Sequence, residues 1–224
     1  MKLSVIIPAL NEEEGIGGTL DEIKKSLDGR YEYEIVVVDD GSKDRTGDIA
    51  KSKGARVIRH PVNKGYGAAI KTAVEGSRYD TICLLDADAT YPSPQIPDLM
   101  DAFTGDGCIV SGSRFMGKNM GMPIIRKIGN KFFVILASTL MMHRISDISS
   151  GMKIFTKKTF NDLQPLPDDL DMIVVMTLRT LKRKMKFVEI PIEYRGRMGS
   201  SKLSAVREGF RFLRTIIHMS LFGG

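Results

Sequence analysis

Residues 81–88, TICLLDAD, set two carboxylates, Asp86 and Asp88, directly after a short continuous apolar run. A run without polar alternation is the pattern of a strand covered on both faces, as in a parallel sheet. Four more such runs lie in the first half: LSVIIP (3–8), EIVVVDD (34–40), RVIRH (56–60) and CIVSGS (108–113). The polar, Ala- and Lys-containing segments between them have the length of crossover helices. The sequence therefore predicts an α/β fold with a doubly wound, mostly parallel central sheet, whose ligands sit at the carboxyl ends of the strands. Asn11, Asp39 and Asp40, Asn63, and Asp86 and Asp88 all fall within a few residues of such an end, which gathers four polar clusters on one edge.

The composition suits this fold. Of 224 residues, 42% are hydrophobic and 27% charged, enough to bury a core and too apolar for a disordered chain. No run reaches the roughly 18–20 apolar residues that a membrane-spanning helix needs. Cys83 and Cys108 sit singly in apolar runs and read as small buried hydrophobes of a reducing compartment. Met1 leads straight into LSVIIP with no secretory signal, so a cytoplasmic location is expected. Charge divides the chain unevenly: residues 1–112 hold 13 Lys/Arg and 19 Asp/Glu (−6), residues 113–224 hold 20 and 8 (+12). An acidic half suits a metal or sugar site, and a basic half suits phosphates, anionic lipid or nucleic acid. With 7% aromatics and no Trp there are few stacking platforms for nucleic acid, and none is expected as a partner.

Beyond Arg114 the pattern changes. A Gly/Met-rich loop, MGKNMGMP, precedes KFFVILASTLMMHR, eleven apolar or small residues bounded by charges. As a helix this run is apolar nearly all round, which fits either a core helix or one lying against lipid. DISSGMKIFTK (147–157) reads as a returning strand, DDLDMIVVMTLRTLKRK as a helix ending in positive charge, and KFVEIPIEY (186–194) as an edge strand. In the tail, Val206, Phe210, Leu213, Ile217 and Leu221 recur at helical spacing with Arg207, Arg211 and Arg214 between them. Such a basic amphipathic helix fits a membrane surface, and equally a terminal helix docked on the core.

Asp86 and Asp88, two apart on extended backbone, leave it on the same side. Carboxylates this close repel unless a cation joins them, and Mg²⁺ or Mn²⁺ shared with substrate phosphates is the economical solution. Asp39 and Asp40 end another strand and can accept hydrogen bonds from a nucleobase or ribose, while Asp44 and Thr46 read as helix caps. Asn11 and Glu12 can clamp a nucleoside or cap the next helix. Residues 63–69, NKGYGAA, offer small residues and N–H groups at a helix start, a diphosphate neighbourhood that includes Lys64 and Gly67. Ile70 stands where a dinucleotide fingerprint needs its third glycine, and no GxxxxGK[ST] loop, nucleophile elbow, HExxH pair or zinc spacing occurs. Oxidoreductase, P-loop and hydrolytic-triad chemistry are therefore disfavoured.

In chain order, PxxNE, VDDGSxDxT, NxGxGAA, DAD with Tyr-Pro, GSR, DxSSGMKxF and YxxRxGxSKL run from Pro8 to Leu203. Together they resemble the family 2 inverting glycosyltransferases, most closely the dolichol-phosphate mannose synthase and polyprenyl-phosphate glycosyltransferase group. The resemblance implies the GT-A nucleotide-sugar, Rossmann-like fold with a C-terminal amphipathic helix. A catalytic domain would span 1–202, with a donor and metal half (1–112) and an acceptor half (113–202), and residues 203–224 would form the basic helix near the membrane. It implies a GDP- or UDP-sugar donor held by Pro8, Asn11, Glu12, Asp39, Asp40, Lys64, Gly67, Asp86 and Ala87, with Mg²⁺ or Mn²⁺ on Asp86 and Asp88. Arg114 and Arg126 would receive the phosphate of a polyprenyl acceptor. Arg197 and Lys202 would hold or close over donor phosphates, and these four basic residues with Asp88 form the catalytic set. Asp147, Ser150 and Gly151 would line the site.

Two positions depart from the pattern. Thr90 stands where these synthases carry a glutamine that helps bind metal, and Leu10 where an aromatic residue is common. The function implied is transfer of mannose or glucose, with inversion, to a polyprenyl phosphate at the cytoplasmic face of a membrane. A glycan, protein or small-molecule acceptor, a non-catalytic nucleotide-sugar binder, and a nucleotidyltransferase are the alternatives in that order.

Overall fold

A computed structural model of the chain describes residues 1–118, 121–198 and 205–222. Among them seven strands form one sheet: β1 (Lys2–Ala9), β2 (Glu32–Asp39), β3 (Arg56–Arg59), β4 (Thr81–Leu84), β5 (Cys108–Ser113), β6 (Lys153–Thr156) and β7 (Lys186–Pro191). Their order across the sheet is β3-β2-β1-β4-β6-β5-β7. All adjacent pairs run parallel except the two that β6 makes with β4 and β5. The five apolar runs of the first half are all strands. The returning strand is shorter than expected, because residues 147–152 form a loop before β6. The expected edge strand is β7, which ends at Pro191.

The helices are α1 (Ile16–Leu27), α2 (Thr46–Ser52), α3 (Tyr66–Gly76), α4 (Ile96–Ala102), α5 (Ile124–Met141), α6 (Lys157–Asp162), α7 (Met172–Lys182) and α8 (Ala205–Leu221). Strand side chains alternate between two apolar layers. In β1, Leu3, Val5 and Ile7 join Leu20 and Ile23 of α1 and Leu99 of α4 on one face. Ile6 joins Ile70 and Ala73 of α3 and residues of α5, α7 and α8 on the other. Each fully buried Leu or Ile contributes about 1.5–3 kcal/mol to holding this three-layer sandwich. Cys83 and Cys108 are free, buried members of one layer.

The two segments with open readings resolve into helices with two faces. Phe133, Leu136 and Leu140 of α5 pack on the core and Ala137 is fully buried. Ile124, Ile125, Ile128, Phe132, Ile135 and Met142 form an outward stripe, with Ile125 79% exposed. No helix among the described residues is long and apolar enough to cross a membrane. In α8 the core face is Phe212, Ile216 and Met219, whereas Phe210, Ile217 and Leu221 of the expected apolar face point to solvent. The helix carries an apolar stripe on each side, and only packing against α5 and α7 selects the inner one. So α8 packs into the same core as α5 and α7, and Phe133 of α5 meets Phe212 edge-on at 5.9 Å.

Candidate active site

Strand direction assembles the site. β1, β2 and β4 are parallel and end on one edge at Ala9, Asp39 and Leu84. Antiparallel β6 starts there, with Lys153 opposite Leu84, so the 147–152 loop lands against the acidic loop that follows β4. In that loop Ala89 has φ +60°, left-handed for a residue with a Cβ, a conformation that costs on the order of 1–3 kcal/mol and persists only when its surroundings enforce it. The Thr90 N–H and hydroxyl both donate to Asp88 Oδ1, at 3.1 and 2.6 Å, and enforce it here. Thr90 is thus a clamp on a candidate metal ligand, where sequence comparison suggests only a weaker ligand.

Asp86 is held by residues that its own motif does not contain. The Tyr66 hydroxyl at the start of α3 donates to Asp86 Oδ1 (2.6 Å). A Cβ on Gly151 would lie 2.7 Å from Asp86 Oδ2, so glycine is required there for the carboxylate to fit. The Gly151 N–H donates to the Tyr91 hydroxyl (2.7 Å), which fixes that approach. Burial first, and then the charge of Asp88, push the Asp86 carboxyl up to about 6 against the opposing Tyr66 hydrogen bond. Burial likewise lifts Glu12 to about 7, aided by Asp88 and Asp86 and opposed by Arg197. Arg197 bridges the two loops, with Nη1 donating to Asp88 Oδ2 (2.8 Å) and Nη2 to Glu12 Oε1. Its own loop is latched to the acidic one, since the Met198 N–H donates to the Asp88 carbonyl and the Arg195 N–H to the Thr90 carbonyl.

Two cavities meet at these carboxylates. One, about 330 Å³, lies over the ends of β1 and β4 and is lined by Pro8, Leu10, Glu12 and Ala87, with Arg207 and Arg211 of α8 closing it. The other, about 360 Å³ and more apolar, is walled by α5 and α8 and lined by Tyr91, Ile125, Arg126, Phe133, Tyr194 and Phe212. The Arg114 guanidinium also faces it, held by Asp147 at 2.6 and 2.7 Å and donating to Ser149 Oγ at 2.8 Å. Asp147, although buried, keeps Arg114 charged.

The remaining expected residues divide. Pro8, Glu12, Asp40, Asp86, Ala87, Asp88 and Arg197 line the first cavity, and Arg114, Arg126 and Gly151 the second. Asn11 lines neither. Its side chain receives the Lys43 N–H and its own N–H donates to Ser42, which ties the loops after β1 and β2 together. Asp39 is buried, takes the Ser42 N–H (2.8 Å) and faces Arg59 Nε at 3.4 Å. Asp40 spends its oxygens on His60 and on the Lys64 and Gly65 N–H groups, so its work is to shape the 63–66 loop. The N-terminus of α3 is not an open phosphate cradle. The Pro167 carbonyl would lie 2.4 Å from a Cβ on Gly67, the Ala68 N–H donates to the Asp168 carbonyl, and Lys64 and Gly67 line neither cavity. Ser150 is buried, and Ser149 faces the cavity in its place. Lys202 lies outside the described residues.

Two carboxylates at a cavity junction, one of them pushed up by burial and then by the charge of the other, fit a hard divalent cation. No group of three His, Cys, Asp or Glu side chains forms a metal cage among the described residues, so phosphate oxygens and water would complete the shell.

The profile of Glycosyl transferase family 2 matches residues 4–164. Dolichyl-phosphate hexose transferase of Haloferax volcanii is 33% identical over 219 residues, covering 98% of this chain and 94% of the relative. Dolichol-phosphate mannosyltransferase of Pyrococcus furiosus is 32% identical over 234 residues, covering 100% of this chain and 65% of the relative. Glucosyl-3-phosphoglycerate synthase of Mycobacterium tuberculosis, solved with Mn²⁺, UDP-glucose and phosphoglyceric acid, superposes with a TM-score of 0.78 at 21% identity, over 98% of this chain and 79% of that one. At that identity the likeness concerns the fold alone.

Proposed function

The chain belongs to glycosyl transferase family 2 and has the GT-A fold, and from that premise we propose that this glycosyltransferase moves a hexose from a nucleotide-sugar to a polyprenyl phosphate with inversion. The observation that carries the reading is the meeting of a polar and an apolar cavity at Asp86 and Asp88. The polar cavity takes the donor, with Pro8, Glu12 and Ala87 beside the nucleoside and Arg197, Arg207 and Arg211 near its diphosphate. Asp86 and Asp88 would hold Mg²⁺ or Mn²⁺, which when bound neutralises charge on the departing diphosphate. The named relatives, a dolichyl-phosphate hexose transferase and a dolichol-phosphate mannosyltransferase, support a lipid-phosphate acceptor.

The apolar cavity takes the first isoprene units, with the phosphate at Arg114 and Arg126. A phosphate is already an anion at neutral pH and needs orientation rather than a general base. One of its oxygens bonds to the anomeric carbon from the face opposite the leaving diphosphate, whose bond to that carbon breaks. Arg114 is oriented for this by its two bonds to Asp147. The outward stripes of α5 and α8, fringed by Lys131, Arg144 and Arg214, would rest on the cytoplasmic face of a membrane and hold the cavity mouth at the lipid.

Titration calorimetry with GDP-mannose and UDP-glucose, with Mn²⁺ and again with excess chelator, tests the donor side. Metal-dependent binding of one donor is expected, and the absence of binding to both would overturn it. Flotation with anionic vesicles tests the acceptor side, and a protein that stays at the bottom of the gradient would favour a soluble acceptor.

A further inference from the structure

Six described residues line both cavities: Tyr66, Asp86, Asp88, Leu170, Arg197 and Glu208. Whatever passes between a donor and an acceptor must cross the space that they share. Most polar groups there are already engaged: Tyr66 with Asp86, and Asp88 with Thr90 and Arg197. Glu208, in the first turn of α8, differs. Its side chain is 14% exposed and, among the described residues, its Oε2 accepts no hydrogen bond and its ion-pair partner, Arg211 Nη1, stands 3.6 Å away while lying 3.2 Å from Asp169. A buried carboxylate oxygen without a donor is costly unless a ligand supplies one.

We infer that Glu208 is a specificity-determining residue that receives hydrogen bonds from hydroxyls of the transferred sugar. This rests on the glycosyltransferase reading above. Of the groups that meet in the shared space, the hexose alone brings O–H donors, since the diphosphate and the lipid phosphate present acceptors only and the ribose lies on the far side of the diphosphate. A carboxylate takes hydrogen bonds from neighbouring hydroxyls and repels the phosphates on either side, so it favours the sugar at this position. α8 thereby recognises the group being moved as well as closing the site, and a site built to bond a substrate hydroxyl discriminates strongly against a ligand that lacks it.

The test compares each nucleotide with its sugar conjugate, UDP against UDP-glucose and GDP against GDP-mannose. Each is titrated calorimetrically with Mn²⁺ into the full chain and into E208A and E208Q. The expected result is that E208A weakens the sugar-nucleotide by about 10- to 100-fold while the bare nucleotide changes less than about twofold, with E208Q between. Equal loss of both ligands would overturn the inference by placing Glu208 on the nucleotide. So would unchanged affinities accompanied by lost turnover, which would make it a base for a hydroxyl acceptor. If E208A does not melt cooperatively, the E208Q ratio decides alone. A wild-type chain that binds none of the four ligands overturns the donor reading, and the role of Glu208 with it.

Discussion

The two cavities share their carboxylates and differ in how they are built. On the donor side, side-chain to backbone bonds tie the loop after β1 to that after β2 (Asn11 to Lys43) and the loop after β2 to that after β3 (Asp40 to Lys64 and Gly65), and fix the loop after β4 from within (Asp88 to Thr90). On the acceptor side the walls are two helices meeting through apolar contacts such as Phe133 with Phe212. A nucleotide carries the same groups every time and suits fixed partners. An isoprenoid chain offers no hydrogen bonds and suits a greasy wall of the right width. Precision on one side and apolar area on the other are what the proposed transfer from a nucleotide-sugar to a lipid phosphate would require.

That contrast makes the two sides separable by mutation. Asp88→Ala should cut turnover on the order of 10² to 10³ with the fold kept, measured by product formation beside a thermal melt. A variant as active as wild type without metal would remove the cation from the scheme. On the acceptor side, Arg114→Met should destabilise the chain by about 3–5 kcal/mol in urea, because it strands the buried Asp147 carboxylate. Arg126→Ala should lose acceptor turnover without that stability cost. If both variants behave alike, the Arg114–Asp147 pair has no special structural burden.

Ile128→Asp with Ile135→Asp should abolish vesicle flotation and leave nucleotide-sugar affinity unchanged, since both residues lie on the outward stripe of α5 and line neither cavity. Loss of donor affinity would show that the two sides are coupled. The weakest effect expected is on the bare cation. Arg197→Ala frees Asp88 Oδ2, so Mn²⁺ without nucleotide should bind a few-fold tighter, and a decrease would contradict the competition implied by the 2.8 Å pair.

pH adds a check on the donor side. The Glu12 carboxyl is raised from 4.5 to about 7, so the folded chain holds this proton more tightly than the unfolded one. Its contribution to stability is complete below about pH 4.5 and is lost as pH rises through about 7. Glu12→Gln, which never ionises, should therefore melt progressively higher than wild type as the pH is raised from 5 to 8. A constant difference in melting temperature would mean that Arg197 already compensates the charge.

What could be read from the sequence follows the same divide. Strand, turn and carboxylate are contiguous in TICLLDAD and EIVVVDDG, so the sheet, its functional edge and Asp86 and Asp88 were legible there. The loop-tying hydrogen bonds of Asp40 and Asn11 were not legible, because a turn side chain that binds a ligand and one that binds its neighbour loop have the same local pattern. Tyr66 and Tyr91 stand within quoted motifs, but their bonds to Asp86 and Gly151, like the arrival of Glu208, come only through tertiary packing. In α8, Phe210, Ile217 and Leu221 have helical spacing as good as that of Phe212, Ile216 and Met219, so periodicity could not choose the buried face.

The decisive measurement is product analysis by mass spectrometry after incubation with UDP-glucose or GDP-mannose, Mn²⁺, and two acceptors together, a polyprenyl phosphate in anionic vesicles and soluble 3-phosphoglycerate. Two cavities joined at Asp86 and Asp88 predict a hexosyl polyprenyl phosphate, absent with Asp88→Ala. Hexose on the soluble phosphate with none on the lipid would contradict the assignment of the apolar cavity.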